Sequence, residues 1–284
     1  MKFAGIIAEY DPFHNGHAWQ LAQAKALGAE RVAVAMSCSL VQRGALPLLP
    51  EAVRTRSALT CGADLVFALP APCACAGAEA FARAGVALLA AAGCDGLVFG
   101  AETPDAALLM EAAELLDSDS YRAALKAQLA GGARSFAAAR QAAAAQLASD
   151  ERVAALLDKP NNNLAVEYCR AIRSLAPRME AYPLPRQGAN HGEALHSAHG
   201  QFASASALRK LWAEGGADAV APYVPEAVFP LYQEAYAAGQ YTDFSAAGRC
   251  ELALLRSACR GKAPFADIRG VSEGCLLYTS DAAD

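Results

Sequence analysis

Four short apolar runs, each followed by a segment with helical spacing, constrain this chain more than any other feature. They are "KFAGIIAEY", "RVAVAMS", "DLVFALP" and "GLVFG", all within the first hundred residues. Each is short, bounded by breakers and rich in β-compatible residues, so each reads as a buried strand. Between them lie "GHAWQLAQAKALG", Glu51 to Cys61 and Ala78 to Ala92, which suit helices and stop at Gly28, Gly62 and Gly93. Strand and helix in alternation, with short joints, predict right-handed βαβ units and a parallel sheet. Further on, "MEAYPL" suits one more strand.

The middle of the chain changes character. "DAALLMEAAELL", "SYRAALKAQLA" and the Ala-rich "FAAARQAAAAQLA" predict helices over about 103–150, an insertion or flank of the sheet rather than a separate core. "FASASALRKLWAEG" begins with small polar residues and becomes helical, and from Val220 the pattern is helical and Pro-punctuated. At about 150 residues per domain, 284 residues suggest two domains. The boundary is expected near 215, with a helical segment over 216–274.

Composition excludes several classes. A net charge of −5 argues against a polycation seeking nucleic acid with its whole surface. The charge is uneven, however: Lys159 to Lys210 holds seven Lys/Arg against three Glu, a stretch able to face phosphates or to be ordinary solvated surface. No stretch is long and apolar enough to span a membrane, and Met1 to Ala8 lacks the features of a signal peptide. The nine cysteines form no CxxC pair, so reduced thiols in a cytoplasmic protein are expected.

Five histidines serve the whole chain, and two of them, His14 and His17, stand three apart in "HNGH", where the first strand gives way to the first helix. In open α/β sheets ligands bind beyond the carboxyl ends of strands. A helix start offers free N–H groups and a positive dipole end, which suits phosphate. Two imidazoles there can donate to phosphate oxygens, and Gly16 lets backbone approach a ligand. Zinc is a second reading of HxxH, but His191, His196 and His199 lie far off in sequence as third ligand. Two structural histidines are a third. Likewise "SASALRK" can be a capped helix start, or hydroxyls of Ser204 and Ser206 and the guanidinium of Arg209 converging on anionic oxygens.

Together, HNGH and SASALR resemble the signature of the HIGH-type nucleotidyltransferase superfamily, whose members activate carboxylates or phosphates with ATP. "GIIAEYDPFHNGH", "MSCSLVQRG", "GADLVFALP", "LVFGAE", "KPNNNLAVEY" and "FASASALRK" resemble, in order and spacing, the tRNA(Met) cytidine acetate ligase family over Met1 to about Gly274. The resemblance implies a Rossmann-like nucleotidyltransferase domain over 1–215 followed by an incomplete helical C-terminal domain. It implies that ATP adenylates acetate, with Mg²⁺ accompanying the nucleotide, and that the acetyl group passes to the wobble cytidine of elongator tRNA(Met).

Carried over residue by residue, it implies catalytic roles for His14 and His17. ATP contacts are implied along Ile7, Ala8, Glu9, Tyr10, Asp11, Pro12, Phe13, His14, Asn15, Gly16, His17, Ala18, Trp19 and Gln20, and at Gly100, Asn161, Arg186 and Gln187. Gln42 and Arg43 would orient acetate or phosphates. No protein-held metal is implied. The chain departs from the family pattern at Asp11 (usually Asn), Cys38 (usually Gly), Gln187 (usually aliphatic) and the third Asn of "PNNNL". The last ten residues, "CLLYTSDAAD", resemble a translated sequencing adapter, so Cys275 to Asp284 are expected to be read-through. Rival expectations are an adenylyltransferase for a small molecule without RNA, and an inactive tRNA-binding module.

Overall fold

A computed structural model of the chain describes residues 1–132, 135–185, 196–197 and 200–260. Arg186, Gln187, His191, His199 and the final decapeptide lie outside the described residues. The first unit runs from Met1 to Tyr241 and the second begins at Thr242.

The alternation becomes structure almost as the sequence predicts. The elements run β1 (Phe3–Ala8), α1 (Asn15–Ala26), β2 (Arg31–Ser37), α2 (Glu51–Thr60), β3 (Leu65–Leu69), a one-turn α3 (Ala71–Ala74), α4 (Ala78–Ala91) and β4 (Gly96–Ala101). The helical stretch supplies α5 (Ala106–Asp117), α6 (Asp119–Ala130), α7 (Phe136–Leu147) and a short α8 (Glu151–Leu156). Next come α9 (Pro160–Leu175) and β5 (Glu180–Pro185). A two-residue ladder pairs β6 (His196–Ser197) with β7 (Gly200–Gln201). The unit closes with α10 (Ala205–Val220), a 3-10 turn at Ala221–Tyr223 and α11 (Phe229–Ala237).

The five long strands are parallel, in the order β3-β2-β1-β4-β5. The period of two sorts their side chains. Val32, Val34 and Met36 enter one apolar layer with α1, α2, α10 and α11; Ala33 and Ala35 enter the other with α4, α5, α8 and α9. Helices therefore cover both faces, as a buried parallel sheet requires. The segment 106–156 packs into the second layer through Leu109, Ala112, Ala143 and Val153, all fully buried, so it belongs to the sheet's own core.

The expected boundary near 215 falls inside the first unit, at a break in α10 where Gly216 has φ +68°. Trp212 and Tyr232, on either side of it, are buried in the same layer as Ile6 and Val34. Apolar packing thus carries the compact unit past that boundary. In the second unit, α12 (Phe244–Arg260) leaves Leu252, Leu254 and Leu255 exposed. No helix among the described residues is long and apolar enough to cross a membrane.

Candidate functional site

The strand order reverses at β1, where β2 lies on one side and β4 on the other. β1 pairs with β2 along six residues but with β4 only at Ala4↔Gly96 and Gly5↔Leu97. At the amino ends the two strands are pinned by Asp95, whose carboxylate accepts the N–H groups of Lys2 (2.8 Å) and Phe3 (3.0 Å). Towards the carboxyl ends they part, and Gln20 Nε2 donates to the Val98 carbonyl at 3.2 Å. Such a parting at the switch point is where open α/β sheets take their ligands. Gly100, exposed near the end of β4, lies on that side.

α1 starts at this point through a reciprocal cap. His14 is the N-cap residue, with extended backbone, and its Nδ1 accepts the Gly16 N–H at 3.0 Å. His17 Nδ1 accepts the His14 N–H at 3.3 Å. This is a capping box built from imidazoles instead of Ser and Glu. Because each Nδ1 is an acceptor, each neutral ring carries its proton on Nε2. The rings stack with centroids 3.7 Å apart, and His17 also packs edge-on against Tyr10 at 4.8 Å. The cap also explains the glycine. A Cβ on Gly16 would lie 2.9 Å from His14 Cε1, so only glycine admits the folded-over ring.

Residues nearly two hundred positions away complete the site. Asn15, buried, donates to the carbonyls of Gln201 (3.0 Å), before α10, and Pro222 (3.3 Å), after it, so both flanks of α10 meet the start of α1. Ser204 caps α10 by accepting the Ala207 N–H at 3.2 Å, and its hydroxyl lies 3.1 Å from that of Ser206. Both serines are exposed. Arg209 Nη1 donates to the Asp11 carbonyl at 2.6 Å and to Asp11 Oδ2 at 3.1 Å. The other Asp11 oxygen accepts the Leu48 N–H at 2.6 Å. Asp11 is 4% exposed and joins β1, α10 and the loop before α2. Neither α1 nor α10 carries an acidic residue in its first turn, so neither helix start is neutralised by a carboxylate of its own helix.

The stretch from Ile7 to Gln20 divides by burial. Tyr10, Asp11, Pro12, Phe13 and Asn15 are buried and hold the site together; Ile7, Ala8, Glu9, His14, Gly16, His17, Ala18, Trp19 and Gln20 are partly exposed. Tyr10 takes φ +50°, a strained value for a residue with a side chain, and turns the chain out of β1. Glu9 Oε1 accepts the Gln42 N–H at 2.7 Å, which ties the loop bearing exposed Arg43 to the same strand end.

Asn161 heads α9 beside β4. Its N–H (3.2 Å) and Nδ2 (2.6 Å) donate to Glu102 Oε1, while Glu102 Oε2 takes the Asn162 N–H at 2.7 Å. Burial pushes the Glu102 carboxyl up, but these hydrogen bonds outweigh it and leave its pKa below the ordinary value. Asn162 exchanges bonds with Thr103, and Asn163 Nδ2 donates to Leu157 and Lys159 carbonyls. Glu102 was not singled out from sequence, although it stands in the quoted "FGAE".

A parallel sheet parted at its switch point, with two histidines capping the helix after β1, is the architecture of a nucleotidyl transferase. The family model for HIGH Nucleotidyl Transferase matches residues 1–276. Among curated proteins, the tRNA(Met) cytidine acetate ligase of Syntrophotalea carbinolica is 36% identical, covering all of this chain and 67% of its own length. That of Caldanaerobacter subterraneus subsp. tengcongensis is 35% identical over 96% of this chain and 68% of its own. The crystal structure of Thermotoga maritima TmcAL bound with alpha-thio ATP matches with a TM-score of 0.76 and 30% identity, covering 85% of this chain and 57% of that one. Its apo form I matches with a TM-score of 0.78. The chain belongs to the tRNA(Met) cytidine acetate ligase family, and it spans about two thirds of the length of these curated relatives.

Proposed function

We propose that the chain carries the nucleotide-activating half of an ATP-dependent tRNA(Met) cytidine acetate ligase. The observation that carries this reading is the imidazole-capped start of α1 at the end of β1, with Arg209 of α10 bonded to Asp11 and the segment before α10 bonded to Asn15 beside it. A carboxylate oxygen of acetate attacks the α-phosphate of ATP, the bond to the β-phosphate oxygen breaks, and pyrophosphate leaves. The exocyclic amine of the wobble cytidine of elongator tRNA(Met) then attacks the carbonyl carbon of acetyl-adenylate, loses a proton, and AMP departs.

In this scheme the Nε2–H groups of His14 and His17 donate to phosphate oxygens and stabilise the charge that grows on them. The N–H groups and hydroxyls at the start of α10 hold the outer phosphates. Arg209 is held at that region by Asp11 and supplies positive charge. Gln42 and Arg43 orient acetate, and Gly100 and Asn161 border the nucleoside. Mg²⁺ would accompany the nucleotide's own phosphates and offset the charge of the leaving pyrophosphate.

The test is incubation with ATP, labelled acetate and unmodified tRNA(Met). Acetate-dependent AMP release with label on the tRNA is expected. AMP release without labelled tRNA would instead indicate a small-molecule adenylyltransferase. ATP binding with no acetate-dependent turnover would reject the reaction.

A further inference from the structure

Among the described residues Arg54 is the largest of the fully buried side chains, and it stands in α2, where the run "EAVRTRSALT" gives no hint of its setting. Its guanidinium donates to the carbonyls of Leu49 (3.0 Å), Glu9 (2.7 Å), Ser37 (2.6 Å) and Cys38. Enclosing a charge is costly even when it is hydrogen-bonded, and an apolar side chain would serve stability as well. Burial pulls the Arg54 pKa down from its ordinary value, against the opposing pull of Asp11 and Glu51. What Arg54 gains in return is position. Its four acceptors are the residue just past β1, the last residue of β2, the residue after it, and the loop entering α2.

Those four points tie the carboxyl ends of β1 and β2 to the loop that runs from β2 to α2. Glu9 immediately precedes Tyr10, where the chain turns towards His14, and Glu9 also holds Gln42. Ser37 and Cys38 begin the loop that carries Gln42 and Arg43, and Leu48 near its end is held by Asp11. We infer that Arg54 is a positioning residue for the transfer reaction, fixing the distance between the phosphate seat at His14 and the substrate loop at Gln42–Arg43. The inference rests on the function proposed above. α1 caps itself through His14 and His17, so its helix start keeps its own hydrogen bonds without Arg54, whereas the loop bearing Gln42–Arg43 is held at both ends by Arg54 through Ser37, Cys38 and Leu49.

Arg54→Lys keeps the charge but not the fork that reaches four carbonyls. We compare it with the parent and with Arg140→Lys, a change in a buried ion pair with Glu167 on the opposite helical layer. The readouts are thermal unfolding, ATP affinity by calorimetry, and acetate-dependent exchange of labelled pyrophosphate into ATP. Expected for Arg54→Lys is an exchange rate lowered on the order of 10- to 100-fold with ATP affinity within about threefold of the parent, since small misplacements of reactants cost rate more than binding. Arg140→Lys is expected to lose stability and keep its exchange rate per folded molecule. An unchanged rate in Arg54→Lys, or an equal loss in Arg140→Lys, overturns the inference. A folded parent without exchange removes the proposed function and the inference together; an active parent with an unaffected variant removes the inference alone. Should Arg54→Lys not fold, Arg54→Met, an apolar side chain of similar length that leaves no buried charge, is measured instead, and an unchanged rate there overturns the inference equally.

Discussion

The helix starts of α1 and α9 both sit at the carboxyl side of the sheet, yet they are finished in opposite ways. α9 receives a carboxylate: Glu102 accepts the N–H groups of Asn161 and Asn162, so the positive end of that helix is already neutralised from within the protein. α1 receives two imidazoles, and α10 a serine. Those caps satisfy backbone donors without bringing negative charge. The difference separates a helix end that is closed as a structural joint from a pair of ends left electrostatically able to accept an anion.

The largest expected effect is therefore at the histidine cap. His14→Ala or His17→Ala should lower acetyl-adenylate formation on the order of 10²- to 10³-fold, the usual cost of losing a preorganised donor. Either change also removes one arm of the capping box, costing roughly 1 kcal/mol of stability. Circular dichroism and thermal unfolding should find a folded protein in both cases. Pyrophosphate exchange within threefold of the parent in both variants would erase the distinction between α1 and α9.

Arg209 comes next. Arg209→Ala should raise the KM for ATP on the order of tenfold, since hydrogen bonds to charged groups are worth about 1.5–3 kcal/mol. It also strands the buried carboxylate of Asp11, so the same measurement belongs in an Asp11→Asn background, where that charge is absent. A raised KM for acetate with an unchanged KM for ATP would contradict the role given to the α10 start. Ser204→Ala should do less: about 1 kcal/mol of stability as a lost cap, and a weakening of ATP affinity of about twofold to tenfold, the range for one neutral hydrogen bond.

How much of this could be read from the sequence differs with the range of each interaction. The strands were legible because their patterns are local: Val32, Val34 and Met36 alternate with Ala33 and Ala35 on two faces of the sheet. The cap was legible as a pair of histidines at a strand–helix joint, but not its mechanism, because only geometry shows that Gly16 makes room for the His14 ring. Asp11 could be noted as unusual, whereas its partner Arg209 lies 198 positions away and no periodicity links them. Arg54 was invisible, since a charged residue in a short helix ordinarily reads as surface. The one-turn α3 and the short α8 are not legible, because four and six residues are too few for an apolar period to repeat. The resemblance implies a nucleotide contact at Asn161, but not that its amide also rests on Glu102, an acceptor adjacent in space and 59 positions distant.

The smallest effect on activity, and the sharpest test of the comparison, is expected at Glu102. Glu102→Gln keeps the volume of the side chain, removes its charge and turns one of the two acceptor oxygens of the α9 cap into an NH2 that cannot take an N–H. Charge at a helix start is worth about 0.3–1 kcal/mol at surface-accessible sites, so with one acceptor lost as well the variant should be less stable by at least that much at neutral pH. The sign with pH follows from the lowered carboxyl. A group whose pKa is lower folded than unfolded contributes stability that is fully present above the unfolded value, 4.5, and is lost as pH falls through the folded one. The stability gap between parent and variant should thus be constant above about pH 5.5 and shrink as the solution is acidified below about pH 4.5. ATP affinity should stay within about twofold, because α9 does not seat the phosphates in this scheme. If Glu102→Gln instead tightened ATP binding several-fold, the α9 end would be an anion seat blocked by Glu102, and the two helix starts would differ in occupancy rather than in role.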